Sequence, residues 1–360
     1  MAAKILALRE TAAGENRVSM TPETAGKLGK LGVVATIEAQ AGVSAHFVDA
    51  AYPSSGSVAL ADADVVLCVQ PPGTAQLAQL KPGAVLVGLL SVQSDPARME
   101  RLLAQRITAF SMERLPRTTR AQSMDVLSSQ AGMAGYKAVM VAALNAPRFF
   151  PMLTTAAGTI RPSKVLVVGA GVAGLQAIAT ARRIGAQVEG FDVRPETREQ
   201  IESLGARFLD LGVAAAGEGG YARELNADER AEQQRLLAEH LKSVDVIITT
   251  AAVPGRPAPR IITAAMVKGM RPGTVVVDLA AESGGNCELT RPGETVLENG
   301  VSIIGPLNLA SQGAIHASEM YARNLFNFVA LMIKDDALVL DWEDELIAKT
   351  CVSHDGQSRL

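Results

Sequence analysis

The sequence predicts an α/β protein with two doubly wound, Rossmann-like domains, each built on a parallel sheet, separated by a cleft and linked by long helices. Three observations predict this fold. Short apolar runs rich in Val and Ile alternate with helical segments, as is typical of parallel strands covered on both faces. The chain has 360 residues, which suggests about two domains. One strand-and-turn pattern also occurs twice.

The strand candidates form two groups in chain order. The first group is KILAL, VVATIEA, DVVLCV and AVLVGLL, and the second is KVLVVGA, QVEGFDV, DVIITT, TVVVDLA and VSIIG. Their alternation with helices indicates a doubly wound architecture in each group.

The repeated pattern links the two groups. ADVVLCVQPPG is followed by LKPGAVLVGLL, and later VDVIITTAAVPG is followed by MRPGTVVVDLA. We interpret the repeat as two sheets of similar construction, one in each domain. Chance is the alternative, because Asp-Val-Val and Pro-Gly are common strand and turn elements.

Two long apolar segments predict helices that connect the domains. Residues 123–145 have helical spacing, with Ser123 as a candidate N-cap, and residues 317–334 form the second helix. Such helices would carry the chain out of the first domain and back into it. We therefore expect a discontinuous first domain of residues 1–125 plus 310–360, and a second Rossmann domain of residues 126–309.

Composition excludes several classes of function. The net charge of −3 provides no broad basic surface for nucleic acid. The spacing of the cysteines and histidines matches no zinc site or disulfide framework, so we expect no metal. The long uncharged and apolar run of residues 165–181 contains three glycines and Gln176, so we expect no membrane insertion.

The most informative segment is KVLVVGAGVAGLQAIATARRIGAQVEGFDVRP. It predicts a strand, the glycine turn (residues 169–174), a helix and a second strand that ends at Asp192. Gly169 would permit a tight turn, Gly171 would let the backbone approach a pyrophosphate, and Gly174 would let the helix pack closely. The pyrophosphate would bind the N-terminus of the helix.

Asp192 favours NAD(H) over NADP(H). A carboxylate at this position accepts hydrogen bonds from the ribose hydroxyls and repels a 2′-phosphate. Arg194 leaves the selectivity open, because its charge could neutralise that phosphate.

The arginine loop (residues 117–128, RTTRAQSMDVLS) combines cations, an amide and a carboxylate. Arg117 could donate to a carboxamide, Gln122 could bind a ribose hydroxyl, and Asp125 could accept a hydrogen bond from a ribose hydroxyl. The alternative is a solvated loop whose charges serve the end of a helix.

Several segments together resemble the NAD(H)-binding component of proton-translocating NAD(P) transhydrogenase over nearly the whole chain. They are RTTRAQSMDVLSSQAGMAGYKAV, GENRVSMTPETAGKLGKLG, VVGAGVAGLQAIATARRIGA, SGGNC and TTAAVPGRPAP. GENRVSMTPETAGKLGKLG and TTAAVPGRPAP are shared with alanine dehydrogenases. The arginine loop is therefore the discriminating segment.

The resemblance implies roles for individual residues. In that family, the residues matching Arg117, Gln122 and Asp125 contact the nicotinamide ribose and carboxamide. Ser128 matches a further residue of the same site. A mobile flap matches residues 212–234 and would close over the nucleotide. Further cofactor contacts implied by the resemblance are Thr118, Thr119, Val172, Ala173, Val193, Arg194, Gly220, Tyr221 of the flap, Gln233 and Ala252.

One departure separates this chain from the alanine dehydrogenases. Those enzymes carry a catalytic lysine and histidine, whereas here Gln70 stands at the lysine position and no histidine lies near Leu90 or Ser91. Arg17 is retained, but the general acid/base is missing.

The resemblance also implies a function and partners. NADH bound to this chain would pass a hydride to NADP(H) bound on a partner subunit, with proton translocation by membrane-spanning subunits. It further implies a homodimer with a cytoplasmic, peripheral location on the inner side of a coupling membrane. Two alternatives remain: an alanine-dehydrogenase-like oxidoreductase and a non-catalytic NAD(H)-binding module.

Overall fold

Short strands alternate with helices along the chain in the computed structural model, which describes residues 2–54, 58–212, 226–252 and 256–360. The strands are Lys4–Ala7 (β1), Val34–Ile37 (β2), Val65–Leu67 (β3), Val85–Gly88 (β4), Thr108–Ser111 (β5), Leu153–Thr155 (β6), Gly158–Ile160 (β7), Lys164–Val168 (β8), Gln187–Phe191 (β9), Arg207–Phe208 (β10), Val246–Thr249 (β11), Val275–Asp278 (β12), Thr295–Glu298 (β13), Val301–Ile304 (β14), Ile333–Lys334 (β15), Ala337–Leu338 (β16), Cys351–His354 (β17) and Gln357–Ser358 (β18). The helices are Pro22–Lys30 (α1), Thr74–Leu77 (α2), Pro96–Ala104 (α3), Val126–Asn145 (α4), Val172–Arg183 (α5), Thr197–Ser203 (α6), Ala227–Leu241 (α7), Ala264–Gly269 (α8), Ala314–Val329 (α9) and Glu345–Thr350 (α10).

The chain divides into two compact units. Unit 1 consists of Met1–Gln130 and Ala310–Leu360, and unit 2 consists of Ala131–Leu309. Unit 1 is therefore assembled from both ends of the chain, and unit 2 is continuous.

Unit 1 is built on a seven-stranded sheet in the order β18-β17-β5-β4-β3-β1-β2. The five strands from β5 to β2 are parallel, and β17 pairs antiparallel with β5. Alternate side chains of β1 enter two different hydrophobic clusters: Ile5 joins one and Leu6 the other. Both faces of the sheet are therefore covered, which explains why its strands are continuously apolar.

Unit 2 has a seven-stranded sheet in the order β10-β9-β8-β11-β12-β14-β13. All pairs are parallel except β13 with β14. The strand order reverses between β8 and β11, which is where doubly wound sheets bind ligands at the carboxyl ends of their strands. Gly169 directly follows β8 and Thr250 directly follows β11, so both residues lie at that position.

The predicted fold class is confirmed. Each apolar run named in the sequence contains a strand, and both sheets are predominantly parallel. The repeated pattern corresponds to a pair of adjacent parallel strands in each sheet: β3 pairs with β4, and β11 pairs with β12. We therefore attribute the repeat to similar construction.

Two helix predictions are wrong at their ends. α4 begins at Val126 instead of Ser123, because residues Thr119–Met124 form a 3-10 helix. α9 ends at Val329, and residues Ile333–Lys334 pair as a short strand instead of continuing the helix. Within the described ranges, no helix has the length and apolar character needed to cross a bilayer.

Candidate functional site

The glycine turn connects β8 to α5 in unit 2. Gly169 has φ +97°, in the left-handed region that favours glycine. A Cβ at this position would lie 2.7 Å from the Thr250 hydroxyl and 3.0 Å from the Ala251 nitrogen. The turn is thus packed directly against the segment that follows β11.

The other two glycines meet different physical requirements. A Cβ on Gly174 would lie 1.8 Å from the carbonyl oxygen of Gly169, so α5 can approach the turn only without a side chain there. A Cβ on Gly171 would have no heavy atom within 4 Å. Gly171 thus faces open space, and its lack of a side chain leaves room for a ligand to reach the backbone.

The N-terminus of α5 is suited to an anion. Its N-cap, Gly171, supplies no side-chain hydrogen bond to the first turn. The first N–H groups of a helix have no partner within the helix, and the helix dipole adds partial positive charge there. Val172 and Ala173 belong to this first turn, and Val172 is 47% exposed.

Asp192 follows β9 and is held on both carboxylate oxygens. Ala170 N–H donates to Oδ2 at 2.7 Å, and Arg194 donates from its backbone N–H and its Nε to Oδ1, each at 2.9 Å. Burial would raise the pKa of Asp192, but the bonds from Arg194 and Ala170 outweigh it and lower that pKa. Asp192 is therefore a carboxylate at neutral pH, fixed beside the glycine turn, with Val193 between it and the arginine.

The other predicted cofactor contacts in unit 2 lie on separate segments of the chain. Ala252 is exposed just after β11, close in sequence to the Ala251 that packs on Gly169. Gln233 is buried in α7. Gly220 and Tyr221 of the predicted flap lie outside the described residues.

The arginine loop lies in unit 1 and contains the 3-10 helix Thr119–Met124. Arg117, Thr119 and Gln122 are exposed. Arg120 has a structural partner, since its Nη1 donates to Asp344 at 2.8 Å. Thr118 is different: its buried hydroxyl has no hydrogen-bond partner among the described residues.

Asp125, not Ser123, caps α4. The Asp125 carboxylate accepts from Ser128 N–H at 2.9 Å and from the Ser128 hydroxyl at 2.5 Å. Ser123 instead offers its backbone carbonyl to Asn324 and Asn327 of α9. The helix-end interpretation of the loop is therefore correct for Asp125, and the carboxylate is held in one orientation by the same bonds.

A buried ionic cluster in unit 1 was not predicted. Arg17 donates from Nε and Nη2 to both carboxylate oxygens of Glu15, at 2.7 and 2.6 Å. Its Nη1 donates to Gln130, and Gln70 donates to Glu15 at 3.0 Å. Arg17 and Glu15 are only 4% and 7% exposed. Close spacing in GENR was the only sequence signal, and nothing in it indicates burial.

Glu10 lies against the same cluster. Its carboxylate accepts from the backbone N–H groups of Val69 and Gln70. Burial raises the pKa of Glu10 to about 7, although these two hydrogen bonds oppose the shift.

The described residues contain no group of three or more His, Cys, Asp or Glu side chains that could hold a metal ion. Of the four histidines, His240 contacts Glu189 and His354 contacts Thr108. His46 and His316 are exposed. The two elements that carry candidate chemistry are thus the glycine turn with Asp192 in unit 2 and the arginine loop in unit 1.

Comparison with known proteins gives consistent matches along the chain. Residues 6–134 match the family description "Alanine dehydrogenase/PNT, N-terminal domain" and residues 138–359 match "Alanine dehydrogenase/PNT, C-terminal domain". The first part of the NAD(P) transhydrogenase subunit alpha of Rhodospirillum rubrum is 45% identical, covering 98% of this chain and 97% of its own. A transhydrogenase structure from Sinorhizobium meliloti matches with a TM-score of 0.90 and 42% identity, over 99% of both chains.

Alanine dehydrogenase is more distant. Alanine dehydrogenase 1 of Staphylococcus aureus is 26% identical, covering 80% of this chain and 75% of its own. The resemblance inferred from the arginine loop is therefore confirmed: the chain belongs to the alanine dehydrogenase/PNT family and, within it, to the NAD(P) transhydrogenase alpha subunits.

Proposed function

We propose that this chain is the NAD(H)-binding subunit of a proton-translocating NAD(P) transhydrogenase. Bound NADH would supply a hydride that passes directly to NADP⁺ held by a partner subunit. The glycine turn carries the proposal: the α5 N-terminus has no side-chain cap, and Gly171 leaves space for a ligand to reach it.

The residues of unit 2 fit a dinucleotide. The N–H groups of Val172, Ala173 and Gly174 would bind the pyrophosphate. Asp192, ionised and fixed by Ala170 and Arg194, would accept hydrogen bonds from the adenosine ribose. Further contacts are proposed from the family resemblance for Val193, Gly220, Tyr221, Gln233 and Ala252.

The arginine loop would orient the reactive end of the cofactor. Arg117 would donate to the nicotinamide carboxamide, and Gln122 and Asp125 would bind ribose hydroxyls, with contacts from Thr118, Thr119 and Ser128. The fixed orientation of the Asp125 carboxylate supports this role, because a preorganised acceptor loses little freedom on binding. These groups hold and orient, which is what a direct hydride transfer requires of the protein.

The assembly is also proposed from the family. The chain would form a homodimer docked on NADP(H)-binding and membrane-spanning subunits, which would couple transfer to proton movement. That arrangement implies a cytoplasmic, peripheral position on the inner side of the coupling membrane. Sedimentation of the purified chain at several concentrations tests the dimer.

Asp192→Ala is expected to relax the preference for NADH over NADPH. Removing the carboxylate removes the repulsion of a 2′-phosphate and releases Arg194, which can then pair with that phosphate. The dissociation constant for NADPH divided by that for NADH should fall at least about tenfold. This corresponds to about 1.4 kcal/mol in the difference between the two binding free energies. Fluorescence titration with both nucleotides measures this ratio.

Asp210→Ala is the matched control, because Asp210 forms an exposed ion pair with Arg198 in the same unit. It should leave the ratio unchanged. An unchanged ratio in Asp192→Ala would instead assign selectivity to Arg194 or to the predicted flap.

Gln122→Asn is expected to slow hydride transfer at least about tenfold while changing the NADH dissociation constant less than about threefold. Shortening the side chain by one methylene withdraws the amide by about 1 Å, and misplacement on that scale can cost a hundredfold in rate. Stopped-flow mixing of the NADH-loaded chain with an NADP⁺-loaded transhydrogenase component measures the transfer.

Gln79→Asn makes the same chemical change at an exposed position of unit 1 and should transfer at the rate of the unaltered chain. Equal transfer rates in the two variants would remove Gln122 from the site. Absence of any transfer by the unaltered chain would count against the proposed function itself.

The second candidate function is an amino- or oxo-acid dehydrogenase. In the buried ionic cluster of unit 1, Arg17 is the cation that would have to bind a substrate carboxylate. Its Nε and Nη2 already donate to Glu15, and its Nη1 donates to Gln130. We therefore favour the transhydrogenase. Oxidation of NADH by the chain with pyruvate and ammonia would reverse that preference.

A further inference from the structure

The side-chain amide of Asn286 is bound entirely to backbone groups in unit 2. Its Oδ1 accepts from the Ala251 N–H at 3.0 Å, and its Nδ2 donates to the carbonyls of Ala251 at 2.7 Å and Pro259 at 2.9 Å. Asn286 is 0% exposed. The amide therefore binds both backbone groups of Ala251, as the backbone of a neighbouring strand would.

Ala251 is in turn packed on the glycine turn. The Thr250 hydroxyl donates to the Gly169 carbonyl at 3.0 Å, and the Thr250 N–H donates to the Val168 carbonyl at 2.8 Å. A Cβ added to Gly169 would lie 3.0 Å from the Ala251 nitrogen, so the two segments are in close contact. The segment from Thr250 to Ala252 thus touches the turn on one side and is held by Asn286 at Ala251.

Asn286 is itself fixed by the loop that carries it. The next residue, Cys287, donates its N–H to Asp278 at 2.9 Å, and the Thr290 hydroxyl donates to the same carboxylate oxygen. The Asn286 carbonyl accepts from the N–H groups of Ile261 and Ile262. Both the backbone and the side chain of Asn286 are therefore restrained before any ligand binds.

We propose that Asn286 is a positioning residue of the dinucleotide site. It holds the peptide groups of Ala251 against the glycine turn, and this sets the course of the chain into Ala252. NADH then binds a segment that is already ordered. Ordering a segment in advance removes that cost from binding. This inference rests on the proposed function.

Asn286→Ala is expected to raise the NADH dissociation constant at least about tenfold, measured at a temperature where the variant remains folded. The Ala251 amide should also exchange its hydrogen faster, because it loses its acceptor. Asn286→Asp keeps that acceptor but removes both donors, so it should raise the dissociation constant while protecting the Ala251 amide more than alanine does.

Ser163→Ala is the matched control. It removes another buried side-chain hydrogen bond, to the Phe149 carbonyl, at the amino end of β8, away from the glycine turn. It should destabilise unit 2 and leave NADH affinity within about twofold. Equal loss of affinity in the two variants would show general destabilisation and overturn the proposal, as would unchanged affinity in Asn286→Ala.

Hydrogen exchange of the unaltered chain supplies a test that needs no variant. The Ala251 amide should be protected without nucleotide, and added NADH should change its exchange little. Rapid exchange that slows only with NADH would mean that the segment is not ordered in advance, which overturns the proposal. If the unaltered chain binds no NADH while Ala251 stays protected, the proposed function fails first and this inference fails with it.

Discussion

Gly174→Ala should prevent unit 2 from folding around the glycine turn. The added methyl group would lie 1.8 Å from the Gly169 carbonyl oxygen, a backbone atom that cannot move aside as a flexible side chain can. Overpacking of this severity should cost at least about 3 kcal/mol. Calorimetry should show the unfolding of unit 2 shifted to lower temperature or lost, and NADH binding should disappear with it.

Gly171→Ala and Gly132→Ala are controls that separate the steric clash at Gly174 from the general effect of replacing a glycine by alanine. A Cβ meets no heavy atom within 4 Å at either position. Gly132→Ala, within α4, should stabilise its helix by up to about 1 kcal/mol. Gly171→Ala should fold normally but bind NADH weakly, because its methyl group projects into the space proposed for the pyrophosphate. If Gly174→Ala were as stable as Gly132→Ala, the close packing of α5 would be disproved.

Glu15→Ala should destabilise unit 1 by about 3–5 kcal/mol. The substitution leaves Arg17, which is 4% exposed, as a buried charge without its carboxylate. Glu15→Gln should cost less, because an amide oxygen can still accept one hydrogen bond from the guanidinium. The chain has a single tryptophan, Trp342, and it packs in unit 1. Urea unfolding followed by its fluorescence therefore reports on this unit.

Glu23→Ala is the comparison for Glu15. Glu23 pairs with Lys27 and Arg323 on the surface, where solvent screens the charges, so its removal should cost less than about 1 kcal/mol. Equal losses at the two positions would mean that burial adds nothing to the Arg17–Glu15 pair.

The sequence was most informative where the signal is local. The three glycines, the preceding strand and Asp192 lie within one short stretch, and each has a physical requirement that sequence spacing alone expresses. The turn could therefore be interpreted residue by residue. The hydrogen bonds that Arg194 makes to Asp192 were not predicted, because they depend on the conformation of the backbone between them.

Pairing between distant segments was not predicted. β5 has the sequence TAFS and pairs with β17, CVSH, although about 240 residues separate them along the chain. Both strands are short and only partly apolar, so neither has a distinctive pattern. Their partner in the sheet, more than their own composition, makes them strands.

The cap of α4 shows a choice that sequence cannot make. Ser123 and Asp125 are both good N-caps, and both precede the apolar helix. Asp125 is selected because the 3-10 helix ends at Met124. The Arg17–Glu15 pair was missed for a similar reason: GENR has the composition of a surface turn, and only the tertiary structure buries it.

The discontinuity of unit 1 also affects how the chain can fold during synthesis. Residues 131–309 are contiguous, so unit 2 can fold completely as it leaves the ribosome. The first 130 residues must wait for α9 and β17, which close their sheet and core. At about 5–20 residues per second, that delay lasts roughly ten to forty seconds. During this time an incomplete parallel sheet is exposed, which makes the earliest part of the chain the one most in need of a chaperone.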